Sequence, residues 1–206
     1  MSELLIFAGS SRTESLNRKL ARAAAEAARH QGAEATLIEL ANFDIPLYHA
    51  DLEARGTPSD VVKFKQLLYA HPAWVICSPE YNAGITALLK NAIDWASSPA
   101  KAGNLHAADI ERDWADGEKP FRHKAVGLLA ASPGGLGGIR GLSDLSRLLL
   151  NLQCWVCPKQ FALARAGSAF DANGSLVDAR AAEEVAAVVA QTVWAGRRLA
   201  DYSVTH

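Results

Sequence analysis

The feature that most constrains this chain is a rhythm of short apolar runs, each followed by residues at helical spacing. The runs are residues 4–8, 35–40, 73–78, 125–132 and 154–164. Each has the length and apolar character of a strand. Residues 73–78 (AWVICS) are continuously apolar, as in a parallel sheet covered on both faces. Apolar side chains then recur at helical intervals: Leu16, Leu20, Ala23, Ala24 and Ala27, for example, or Leu142, Leu145, Leu148, Leu149 and Leu152. Helices are expected at about 16–31, from 59 onward, and at 85–95, 141–152 and 178–202. Gly32 reads as the C-cap of the first and Ser59 as the cap of the second. Strand–helix alternation of this kind predicts a doubly wound α/β fold in one domain, residues 1–206. A polar stretch at 99–120, with Gly103 and Gly117, breaks the rhythm and reads as a solvated excursion.

Composition excludes several classes of function. Lys and Arg total 21 against 22 Asp and Glu, a net charge of −1. A nucleic-acid protein should show a basic excess, and an acidic docking protein the reverse. Half of the residues are apolar, which argues against disorder. No basic leader precedes the first strand, and no apolar run reaches the ~18 residues that span a bilayer. Three cysteines, Cys77, Cys154 and Cys157, suit a reducing cytosol, so a cytoplasmic location is expected. Cys154 and Cys157 form a CxxC. Redox pairs of that spacing sit at a helix N-terminus, whereas LQCWVCP reads as a strand ended by Pro158. Residues three apart on a strand point to opposite faces, so two buried structural thiols are expected. Pro158 itself is tolerable at an edge or a bulge. The histidines show no ligand spacing, and no metal is expected.

Three bends are chemically unusual. Residues 9–17 (GSSRTESLN) carry four hydroxyls, one guanidinium and one amide between strand and helix. Backbone N–H groups and the positive end of a helix dipole make such a bend an anion site, to which Arg12 adds a charge-assisted contact. The spacing is neither GxGxxG nor a phosphate loop ending in Lys-Ser or Lys-Thr. A bound mononucleotide phosphate fits it better than a hydrolysed one. Residues 79–84 (PEYNAG) offer backbone N–H groups and a flat side chain, and residues 133–138 (PGGLGG) offer nearly bare backbone that a planar ring could approach. In a sheet of order 2-1-3-4-5 these bends meet at the topological switch point, where ligands bind. A phosphate on the first bend and a ring between the other two describe FMN.

The chain resembles the NAD(P)H-dependent FMN reductases of flavodoxin-like fold, which include quinone, chromate and azo-dye reductases. The resemblance rests on GSSRTESLN, on DIPLY (44–48), on SPEYNAGITALLKNAIDW (78–95) and on ASPGGLGG (131–138). It implies that Ser10, Arg12, Ser15 and Asn17 hold the FMN phosphate, with Leu16 beside them in the cofactor site. It implies that Pro79, Glu80, Tyr81, Asn82 and Gly84 line the ring, largely through backbone, and that Ser132, Gly134 and Gly135 complete the site. NADPH or NADH would deliver hydride to the flavin, and a quinone, free flavin or similar small acceptor would remove electrons. No catalytic side chain is expected, since the flavin supplies the chemistry. Glu80 is expected to matter through its backbone, as an exposed carboxylate, and Lys90 and Asn91 to support the loop or face solvent. Asp94 and Trp95 read as packing or subunit-contact residues. Arg140 stands where the family carries a basic residue after the third bend. The inserted 99–120 stretch departs from the family's short connection. A homodimer or homotetramer without nucleic-acid or membrane partners is expected. The alternative is a flavodoxin-like FMN electron carrier without nicotinamide turnover; the near-neutral charge and Arg12 count against it.

Overall fold

The five apolar runs form one parallel sheet in the order β2-β1-β3-β4-β5. Its strands are β1 (Leu4–Ala8), β2 (Ala35–Glu39), β3 (Ala73–Cys77), β4 (Ala125–Ala131) and β5 (Trp155–Leu163). The computed structural model describes residues 3–99 and 116–205, with side chains to residue 200. Residues 100–115, most of the expected excursion, lie outside the described residues. Every residue of β1, β3 and β4 is buried, because helices cover both faces of the sheet centre. The edge strands β2 and β5 are only partly buried.

The helices are α1 (Leu16–His30), the short α2 (Ala50–Glu53), α3 (Ser59–Ala70), α4 (Ala87–Ser97), α5 (Ile139–Asn151) and α6 (Ala179–Thr205). Strand side chains alternate between two cores. Leu4, Ile6 and Val75 pack with Leu20 of α1 and Val188 of α6. Leu5, Phe7 and Ile76 pack with Phe64 of α3, Leu89 of α4 and Leu145 of α5. Cys154 belongs to the second core and Cys157 to the first, so the two thiols lie on opposite faces of the sheet. Burial pushes both thiols up from their ordinary range, as inert structural cysteines require. The β4–β5 register slips between Val126↔Val156 and Leu128↔Gln160. Pro158 falls in that bulge, where its missing N–H breaks no ladder.

Some local expectations shift. Ser59 does not cap α3; it is the first helical residue, and Pro58 holds the cap position without a side-chain bond. The Pro58 carbonyl starts the ladder by accepting the Val62 N–H at 3.1 Å. Gly32 stands just past α1 at φ +72°, where a left-handed residue lets Ala33 donate back to the Ala28 carbonyl at 3.0 Å. The connection between β2 and α3 contains α2 and is tied to α4. Asn91 Oδ1 accepts the Tyr48 N–H at 2.8 Å, and Asn91 Nδ2 and Trp95 Nε1 donate to the Pro46 carbonyl at 2.9 and 2.8 Å. Trp95 is therefore buried packing, and Asn91 supports a loop. At the far end of α4, the fully buried Lys65 donates to the Ala96 carbonyl at 2.9 Å and also to that of Ser98.

Candidate active site

The three unusual bends leave the carboxyl ends of β1, β3 and β4. From adjacent β1 and β3 the chain departs toward opposite edges of the sheet, which opens a crevice between their loops. Side chains lace these loops together. Thr86 caps α4 by accepting the Leu89 N–H at 3.2 Å, and its hydroxyl donates to the Gly9 carbonyl at 2.7 Å. Asn17, in the first turn of α1, donates to the Ala131 carbonyl at 2.8 Å and accepts the Ala131 N–H at 2.9 Å. Glu80 accepts the N–H groups of Arg140 and Gly141 at 3.0 and 3.1 Å and pairs with the Arg140 guanidinium, its Nε at 2.9 Å. Asp144 of α5 accepts the Ile85 N–H at 3.4 Å.

In the first loop Ser15 caps α1, accepting the Arg18 N–H at 3.3 Å, and Ser10 accepts the Arg12 N–H at 3.3 Å. Arg18 is consumed by structure: its Nε pairs with Glu39 at 2.7 Å and a terminal nitrogen donates to the Arg12 carbonyl at 3.0 Å. The exposed Arg12 guanidinium makes no ion pair among the described residues. Ser10, Arg12, Ser15, Leu16 and Asn17 line a cleft of about 120 Å³ together with Pro79, Glu80, Tyr81 and Ser132. Ala131 and Pro133 line it as well. The sequence reading passed over both, because they contribute main chain and carry no functional group to notice.

Two side chains of the cleft also tie the fold together. Asn17 is first a brace between α1 and β4, with both ends of its amide engaged on Ala131. Glu80 is not an exposed carboxylate: its side chain is 10% accessible and fastens the second loop to the start of α5. Burial raises its carboxyl, but the Arg140 guanidinium and the Gly141 and Arg140 N–H groups outweigh burial and hold it below the usual carboxylate range.

Asn82 and Gly84 stand outside the cleft walls and shape its second loop. Tyr81 and Gly84 exchange main-chain hydrogen bonds of 2.9 and 3.0 Å around Asn82 (φ +50°) and Ala83 (φ +67°), a turn with both central residues left-handed. Gly134 and Gly135 are outside the walls too, and differ from the neighbouring glycines. Gly137 has φ +66°, and a Cβ there would lie 2.7 Å from the Ala162 carbonyl, so the fold itself requires that glycine. A Cβ on Gly135 would meet nothing within 4 Å, and one on Gly134 only Ser132 Oγ at 3.5 Å. Neither has a positive φ. Space beside both is therefore open to an outside group, although the Gly134 N–H is already taken by Ser132 Oγ at 3.1 Å. Hydroxyls, an unpaired guanidinium and a helix N-terminus at one end, with open glycine backbone at the other, fit a phosphate joined to a flat ring.

A 2-1-3-4-5 parallel sheet with a crevice at its switch point is the flavodoxin-like fold. The chain belongs to the NADPH-dependent FMN reductase family, whose model matches residues 2–168, and is an oxidoreductase with FMN as cofactor and NAD(P)H as co-substrate. It is 36% identical over 148 residues to an NAD(P)H-dependent FMN reductase of Pseudomonas aeruginosa, covering 71% of each chain. Over 175 residues it is 31% identical to a quinone reductase of Pseudomonas putida, covering 84% of this chain and 83% of that one. Among solved structures, the flavoenzyme NAD(P)H:(acceptor) oxidoreductase FerB of Paracoccus denitrificans shares the fold. Its TM-score is 0.75 at 24% identity, over 96% of this chain and 98% of that one.

Proposed function

We propose that the three-loop crevice holds FMN and serves a quinone, a free flavin or a similar small acceptor. When bound there, FMN would supply the redox chemistry that links hydride from NAD(P)H to the acceptor. Ser10, Arg12, Ser15 and the α1 N-terminus would hold the phosphate. The backbone of Pro79, Glu80 and Tyr81, with Ser132, Gly134 and Gly135, would flank the ring. The chain's own part is to position: Thr86, Asn17 and Glu80 fix the spacing of the loops before any ligand arrives. Likeness to quinone reductases supports the acceptor class. The observation that carries this reading is the cross-linking of all three loops around one cleft.

The test is the visible spectrum of the purified protein, before and after NADPH. A yellow protein that NADPH bleaches in a stopped-flow mixer and a quinone recolours is the expected result. A protein that stays colourless with added FMN, or yellow but unbleached, overturns the reading. We also propose a cytoplasmic homodimer or homotetramer. Tyr81, Leu136 and Ile139, beside the crevice, are 58%, 57% and 42% exposed, apolar surface that a second copy would cover. A fully active monomer in the ultracentrifuge would contradict this.

A further inference from the structure

We infer that Arg165 is the contact for the pyrophosphate of the nicotinamide dinucleotide; this rests on the function proposed above. Most arginines around the crevice are already committed. Arg18 pairs with Glu39, Arg140 with Glu80 and Arg147 with Asp144, while Arg12 belongs to the phosphate loop. Arg165 is exposed, and its guanidinium makes no hydrogen bond or ion pair among the described residues.

Its backbone is unusual as well. Arg165 has φ +50° and ψ +37°, a left-handed conformation that a residue with a Cβ disfavours. The loop beside the crevice holds it there. The Arg165 N–H donates to the Gly134 carbonyl at 3.0 Å, and the next N–H, of Ala166, donates to the Ser132 carbonyl at 3.0 Å. The main chain that carries this free cation is thus fastened to the third loop, at Ser132 and Gly134 beside the crevice. Strained positions of this kind mark functional sites more often than chance.

The chemistry of the donor narrows the choice. A nicotinamide that reduces the flavin must lie against its ring, and the anionic group nearest to the nicotinamide is the pyrophosphate. The 2′-phosphate of NADPH lies beyond it, on the adenosine ribose, and the FMN phosphate is assigned to the opposite end of the crevice, at Arg12. A guanidinium presents two parallel donors to phosphate oxygens, which an ammonium cannot. Arg165 would therefore serve NADH and NADPH alike.

The test uses the FMN-loaded protein and the variant Arg165→Gly. Glycine suits the left-handed backbone, so the fold should persist, with an unchanged melting temperature as the check. Calorimetric titration should show NAD⁺ and NADP⁺ both bound about tenfold more weakly, the scale of one charge-assisted contact. The KM for NADH and NADPH should rise to the same extent, with kcat retained at saturation. Arg165→Lys should recover part of the loss. The effect should vanish with dihydronicotinamide riboside, a donor without phosphates. Unchanged affinity for both dinucleotides would falsify the contact. A loss confined to NADP⁺ would overturn it in favour of the 2′-phosphate, and weaker FMN binding would overturn it in favour of the cofactor. Failure of the wild-type holoenzyme to be bleached by NADPH would sink the functional reading separately, while the titrations still decide the contact.

Discussion

Arg12 and Arg18 carry the same guanidinium, yet only one of them is free. Arg18 is taken by Glu39 and by the Arg12 carbonyl, whereas Arg12 is exposed and lines the cleft with Ser10 and Ser15. Arg12→Ala should weaken FMN binding by about 10- to 100-fold, the range of a hydrogen bond to a charged group, while leaving thermal stability nearly unchanged. Fluorescence quenching of FMN by the apoprotein measures this; equal affinity in the variant removes Arg12 from the phosphate site. The sequence pointed to Arg12 because a guanidinium in a hydroxyl-rich bend is an anion site. It could not have shown that Arg18 is spoken for, since Glu39 lies on β2, a separate element. Glu80 makes the same point in reverse. Nothing in PEYNAG reveals that its carboxylate closes on Arg140 and Gly141, 60 residues and more along the chain.

Among the elements, the strands were legible and the ends of the helices less so. Continuous apolar runs mark buried parallel strands, and all five appear within a residue or two of the expected limits. The helix expected from 85 starts at Ala87, after its Thr86 cap, and the one expected from 141 starts at Ile139. Helix starts follow from caps and loop geometry, which depend on neighbours outside the segment. Ser59 failed as a cap for that reason, because Pro58 already supplies the first carbonyl of the ladder. The firmest element-level prediction concerns the join between α1 and β4. Asn17→Ala leaves the N–H and C=O of Ala131 unpaired in the interior, which should cost about 2–4 kcal/mol at the scale of two lost partners. Urea denaturation should show a lower midpoint with an unchanged slope. A variant as stable as the wild type would mean that the join does not hold α1 in place.

For the whole molecule, stability in mild alkali is a balance of buried groups. Burial lowers the Lys65 pKa to about 8, against the opposing pull of Glu53 and Asp116. An unfolded lysine titrates near 10.4. Between those values the unfolded chain keeps a proton that the folded one has released, so the Lys65 contribution to stability rises with pH across that window. The buried thiols of Cys77, Cys154 and Cys157 are shifted upward and act in the opposite sense, because above their ordinary range only the unfolded chain loses the proton. Total stability therefore hides the lysine, and a comparison with Lys65→Met exposes it. From pH 7.5 to 9.5 the wild type should gain about 1–2 kcal/mol relative to the variant in urea titrations. A constant difference would show that the Lys65 proton is not coupled to folding. By itself the sequence determined the five strands, the helices between them and three unusual loops, because periodicity and loop chemistry are properties of neighbouring residues, and the resemblance of its motifs implied the sheet order and the FMN reductase family. Only the tertiary structure decided which polar side chains tie the loops together and which stay free for a ligand, because a partner such as Ala131 for Asn17 lies 114 residues away and becomes a neighbour only when the chain folds.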